Sequence, residues 1–226
     1  MTILKRYTVD FSGLDRPGAA LTDAQKVSLG RIFNALGPSG GEIDGFAITA
    51  EAPRRLLKER GLEQRLRRIF AIFNPDNVAQ VAERGHAARV AVLETELPAE
   101  LREEILAAYD RLCLRLGYEP VLAVRPSAAP EDLPANSFEE AAETFFNVRG
   151  REGLLRAVAQ CFASLFTDRA IDCRARCGLD QLRATLSIGV MAMEHPDQAH
   201  CEMSFPVDSM AARILDRPLY SKSAAR

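Results

Sequence analysis

The chain has 226 residues and a mass of 24.9 kDa, enough for one large domain or two small ones. Apolar residues make up 47% and charged residues 27%, a globular balance that excludes disorder and fibrous repeats. Basic residues (29) nearly match acidic ones (31), for a formal charge of -2. A phosphate-backbone binder carries a basic excess, so nucleic acid is not the expected partner. No apolar run approaches the roughly 20 residues that cross a bilayer, and Met1 to Arg6 lacks the apolar stretch of a signal peptide. A cytoplasmic chain without membrane contact is expected. Cys113, Cys161, Cys173, Cys177 and Cys201 then read as free thiols, mostly core fillers.

Alternation over Tyr7 to Phe11 predicts a strand. Thr22 opens a helix, with Gln25 completing a capping box. Val27, Leu29, Ile32, Phe33 and Leu36 form its apolar face, and Gly37-Pro38 stops it. Gly45 to Thr49 reads as a short buried strand. From about Glu51 to Gly117 the spacing is helical almost throughout. One stripe is Leu62, Leu66, Ile69, Phe70 and Phe73; another is Val78, Val81, Val92 and Leu93; a third runs from Leu101 to Leu116. Asn74-Pro75 is expected to end one helix and start the next, with Pro75 in its first turn. Val121 to Val124 is a continuous apolar run, as in a strand covered on both faces. It is expected to end in Arg125 and a Pro-rich loop. Phe145 to Val148 predicts a strand, and Leu154 to Phe166 an amphipathic helix. Thr167-Asp168 caps a further helix that stops at Gly178. Thr185 to Met193 and Cys201 to Phe205 are the last strands expected, followed by a tail.

From Ala123 the chain reads AVRPSAAPEDLPANSFEEAAETFFNVRG, and from Ser164 it reads SLFTDRAI. This resembles the N-terminal nucleotide-binding domain of the phosphoenolpyruvate synthase and pyruvate phosphate dikinase family, with its VRSSATAEDLP, ETFLNVRG and SLFTDRA motifs. Lys26 to Gly30, Gly45 to Ala50 and Ala184 to Met193 are similar to the family's GGKNASLGE, GFAVTA and ALSVGVQKM segments, in the same order. The resemblance implies an ATP-grasp-type module in which two lobes clamp ATP. A separate histidine domain then takes the phosphoryl group, and a barrel domain handles pyruvate. It implies ATP with Mg as cofactors. Arg125, Lys26 and Glu131 are the candidate nucleotide-binding residues. Arg125 matches the arginine that meets the phosphates, a task suited to its fork of donors; the alternative is an ion pair with Glu131 or Asp132 that pins the loop. Lys26 takes the phosphate lysine's role only after a one-residue shift; otherwise it is a surface lysine behind the Thr22 cap.

The departures point to weakened or lost binding. In the unshifted alignment Gln25 stands in place of the family's lysine and Asp23 in place of a glycine. Pro126, Ala129 and Pro130 replace small or hydroxyl residues. Glu140 replaces a glycine in the SFAGQQ segment, and a carboxylate repels phosphate. Ser137 with Glu140 instead makes a capping box. Glu194, His195, His200, Cys201, Cys173 and Cys177 do not have zinc-site spacing, and no metal centre is expected.

The expected fold is α/β: an ATP-grasp-like N-terminal lobe with a helical insert at about 51–117 and the second lobe largely missing. Residues 1–205 form this domain and 206–226 a tail. Two functions are open. One is a catalytically incomplete homologue that works as a partner or regulatory subunit. The other is the ATP-binding component of a split ATP-dependent phosphotransferase that needs other chains. A protein partner or homo-oligomer is expected in both, through apolar surface around Leu186, Ile188 and Val190 and a strand edge near Cys201 to Phe205. The rival is that Pro206 to Leu219 folds back to cover that surface.

Overall fold

The structure, a computed structural model, describes residues 7–11, 44–59, 61–128, 144–183 and 185–193. All lie in the first of two compact units, Met1–Glu194. The expected Thr22 helix and Cys201 to Phe205 strand fall outside the described residues.

The architecture is a five-stranded antiparallel sheet backed by helices. The strands are β1 (Thr8–Asp10), β2 (Gly45–Ile48), β3 (Leu122–Ala128), β4 (Phe145–Val148) and β5 (Leu186–Ala192). Their spatial order is β1-β2-β5-β3-β4. The helices are α1 (Glu51–Leu56), α2 (Leu62–Phe70), α3 (Val78–Leu93), α4 (Ala99–Leu116), α5 (Gly150–Ala163) and α6 (Asp168–Arg176). A 3-10 turn, Ser164–Phe166, follows α5. Four helices therefore occupy the segment expected to be helical, α1 to α4, and Gly117 ends α4 in the left-handed region at φ 78°. Among the described residues no helix is long and apolar enough to cross a membrane.

One sheet face forms the core. Phe46 and Ile48, Leu122 and Val124, and Leu186, Ile188 and Val190 alternate onto it, as a two-residue period requires. Leu101, Ile105 and Leu112 of α4 and Leu154, Val158 and Phe162 of α5 join the same cluster. Helix α4 packs under β1 and β2, and α5 under β3, β4 and β5. This corrects the expectation for Leu186, Ile188 and Val190. They line the central strand, each 0% exposed, and offer no docking surface.

Two further expectations change. Pro75 does not start a helix. Asn77 is the N-cap of α3, accepting from the Gln80 amide at 3.2 Å, while Asn74 Oδ1 accepts from the Asp76 amide at 3.0 Å. Two competing side-chain caps lay within four residues, and the later one starts the helix. Strand β3 also runs through Arg125 and Pro126 to Ala128. Its β4 pairing stops at Val124, so Pro126 sits where the described ladder has β5 alone beside it, and a missing N–H is tolerated there.

Long-range side chains fix the ends. Glu104 of α4 accepts from the Tyr7 and Thr8 amides at 2.8 and 2.7 Å and from Thr8 Oγ1 at 3.1 Å. Arg174 of α6 is 1% exposed. Its Nε donates to Gln181 Oε1 at 2.9 Å, its Nη2 donates to the Leu165 carbonyl, and its guanidinium lies over the Phe166 ring. Gln181 Nε2 in turn donates to the Ile171 carbonyl at 3.0 Å.

Candidate functional site

The sheet's second face differs in kind from the core face. Antiparallel register places Val9, Ala47, Gly189 and Arg125 in one row across β1, β2, β5 and β3. The row on one side is Gly45, Met191 and Ala123. On the other side Ser187 pairs with Ser127. Thr49 follows β2 and Thr185 precedes β5, and both are buried. Arg125 is half-buried on a face of glycine, alanine and hydroxyl residues with Val9 and Met191 among them. Ser187, two residues from the glycine opposite Arg125, is 3% exposed.

Strand β3 pairs with β5 from Leu122 to Ala128, which holds the Arg125 backbone in a fixed register. A guanidinium keeps its charge at any working pH and presents a planar fork of donors. The Ser187 hydroxyl on the next row adds a donor without adding charge. A cation beside a neutral donor is an arrangement that suits a phosphate oxygen. Arg125, Thr49 and Thr185 each have interactions of their own within the chain.

Sequence reading placed Arg125 and missed its surroundings. Ser187 and Gly189 interleave with Leu186, Ile188 and Val190, and small residues alternating within a buried strand signal close approach on the opposite face. Lys26 and Glu131, with Gln25 and Glu140, fall outside the described residues, so Arg125 alone of the three candidates is placed. The region of the His195 and His200 pair is likewise outside. Among the described residues no three His, Cys, Asp or Glu side chains gather as a metal group would need.

Two of the recognisable motif blocks do architectural work. In ETFFNVRG, β4 uses four residues, Phe145 to Val148, against three in β3, Leu122 to Val124. That bulge puts Asn147 at φ 57°, a region Asn enters more readily than most residues. In SLFTDRAI, Thr167 Oγ1 caps α6 by accepting from the Ala170 amide at 3.4 Å. Arg89 of α3 donates to the Phe166 carbonyl at 2.7 Å and to Asp168 Oδ1 at 3.2 Å, tying α3 to the start of α6.

Comparison with known proteins places the chain among related sequences. Residues 26–211 match the family described as pyruvate phosphate dikinase, AMP/ATP-binding domain. Phosphoenolpyruvate synthase of Synechocystis sp. is 40% identical over 195 residues, covering 84% of this chain and 24% of that protein. The Helicobacter pylori enzyme of the same name is 35% identical over 206 residues, 90% of this chain and 25% of its own. That of Escherichia coli is 37% identical over 186 residues, 82% and 23%. The chain thus spans about a quarter of the length of these relatives. With most of its length matched, the chain belongs to the pyruvate phosphate dikinase AMP/ATP-binding domain family.

Proposed function

We propose that the chain is an adenine-nucleotide-binding module of the phosphoenolpyruvate synthase type that holds nucleotide weakly, is catalytically incomplete, and works as a partner or regulatory subunit. The position of Arg125 carries the nucleotide half of this reading: a cation on a strand held in register by β5, opposite Gly189 and one row from Ser187. Arg125 meets a phosphate oxygen through paired donors, and Ser187 donates one further hydrogen bond. ATP would supply the transferable phosphoryl group. Weakness and incompleteness are supported by sequence: Gln25 and Glu140 stand where the family has a lysine and a glycine. Losing a cation and gaining an anion each cost on the order of 1–3 kcal/mol of phosphate binding.

Titration of the purified chain with Mg-ATP tests the reading. The expected dissociation constant is above about 1 mM, with the residual response lost in Arg125→Ala. Saturation at micromolar ATP that survives Arg125→Ala would exclude both the weakness and the site. No ATP hydrolysis and no phosphorylation of pyruvate are expected from the chain alone.

The retained Arg125 also favours a second reading, the ATP-binding component of a split ATP-dependent phosphotransferase. Phosphoryl transfer from ATP that appears only when co-purifying chains are added, and disappears with Arg125→Ala, would select it over the regulatory role.

A further inference from the structure

We propose that Cys173 and Cys177 form a two-coordinate thiolate site for a soft monovalent ion of the copper(I) class. The site is separate from the sheet face that carries Arg125. Cys173 lies in the last turn of α6 and Cys177 is its C-cap, with the Cys177 amide donating to the Cys173 carbonyl at 3.1 Å. That bond closes one helical turn and puts both side chains on the same side of the helix. Cys177 is exposed and Cys173 half-exposed, whereas Cys161 is sealed in the core.

Spacing selects the ligand. Residues four apart on a helix hold their Cβ atoms about 5–6 Å apart. A disulfide needs about 3.5–4.5 Å, so a direct sulfur–sulfur bond requires the last turn to unwind. An ion between the sulfurs fills the difference. Zinc requires about four ligands, and no third His, Cys, Asp or Glu among the described residues joins the pair. The adjacent acid, Asp172, is committed to Arg176 at 2.8 Å, and Arg174 points into the core. Two soft sulfurs, with no third such donor among the described residues, match copper(I), which thiolates select over harder ions. On binding, each thiol gives its proton to solvent and each sulfur forms a bond to copper. The metal stays monovalent and no electron is transferred.

The test is anaerobic competition for copper(I) against a coloured chelator, with Cys113 and Cys201 replaced by Ser. This background is expected to withdraw one equivalent of copper, and X-ray absorption to show two sulfur neighbours. Adding Cys173→Ser or Cys177→Ser should weaken uptake by about a hundredfold or more, with thermal unfolding confirming that each variant is folded. Unchanged uptake in the folded Cys177→Ser variant, three or more sulfur neighbours, or no uptake by the folded background would each overturn the site.

Discussion

Arg125 contributes geometry as well as charge, so lysine is not an equivalent replacement. Arg125→Lys keeps the cation and loses the fork; nucleotide affinity should fall about tenfold, and further in Arg125→Ala. Ser187→Ala removes one neutral donor and should cost about 0.5–1.5 kcal/mol of binding, roughly three- to tenfold. A calorimetric or chemical-shift titration into the millimolar range reads these ratios, and an unchanged apo melting temperature separates them from a folding defect. Equal affinity in wild type and Ser187→Ala would remove Ser187 from the site. Arg174 behaves oppositely. Arg174→Ala strands Gln181 Oε1 and the Leu165 carbonyl, and should cost about 3 kcal/mol in urea unfolding without touching the sheet face that carries Arg125. Arg125 was legible in the sequence because it follows an apolar run within a recognisable motif. Arg174 and Glu104 were not. Gln181 is 7 residues from Arg174 and Tyr7 is 97 from Glu104, and a charged residue on a helix reads as solvent-facing until its partner is placed.

Elements with strong periodicity were legible nearly to their ends, because burial of one face dictates residue spacing. The caps at Thr167 and Gly117 fall where the sequence predicts them. The start of α3 does not, since Asn74 and Asn77 both offer capping oxygens and only packing chooses between them. The length of β3 was missed because Pro126 reads as a terminator until β4 is known to stop short of it. Gly45 likewise reads as a loop-like residue at a strand start, yet its role is close packing. A Cβ there would lie 2.2 Å from the Val190 carbonyl oxygen and 2.7 Å from Phe11 Cε2. Backbone cannot rotate away as a side chain can, so Gly45→Ala must push β2 off β5. The expected loss is about 3 kcal/mol, the upper end of overpacking costs, read as a lower urea midpoint. Faster amide exchange should be confined to Phe46 to Ile48 and their β5 partners. A neutral Gly45→Ala would show that β2 has slack at this position.

For the molecule as a whole, α/β character was legible and strand order was not. Strand β5, last in sequence among the described strands, inserts between β2 and β3, and local periodicity carries no information about such long-range pairing. The resulting core has a pH signature. Burial pushes the Cys161 thiol well above its usual value. Burial also raises Tyr109, with smaller contributions from Cys113 and Glu119, whose Oε1 accepts from the Tyr109 hydroxyl at 3.1 Å. Cys113 shifts in the same direction, chiefly through burial. In each case the folded state holds its proton more tightly than the unfolded chain. Their contribution is complete below the unfolded values and is lost as pH rises, because the unfolded chain ionises first. Loss should begin near pH 8.5, where an unfolded thiol ionises, and steepen near pH 10 with tyrosine. Each group adds up to about 1.4 kcal/mol per pH unit within its window. Urea midpoints between neutral pH and pH 11 measure this. Tyr109→Phe should flatten the upper part of the decline and leave the lower part, whereas Cys161→Ala should lower stability at neutral pH by opening a cavity and flatten the lower part. A midpoint independent of pH across this range would mean that none of these groups holds its proton through burial.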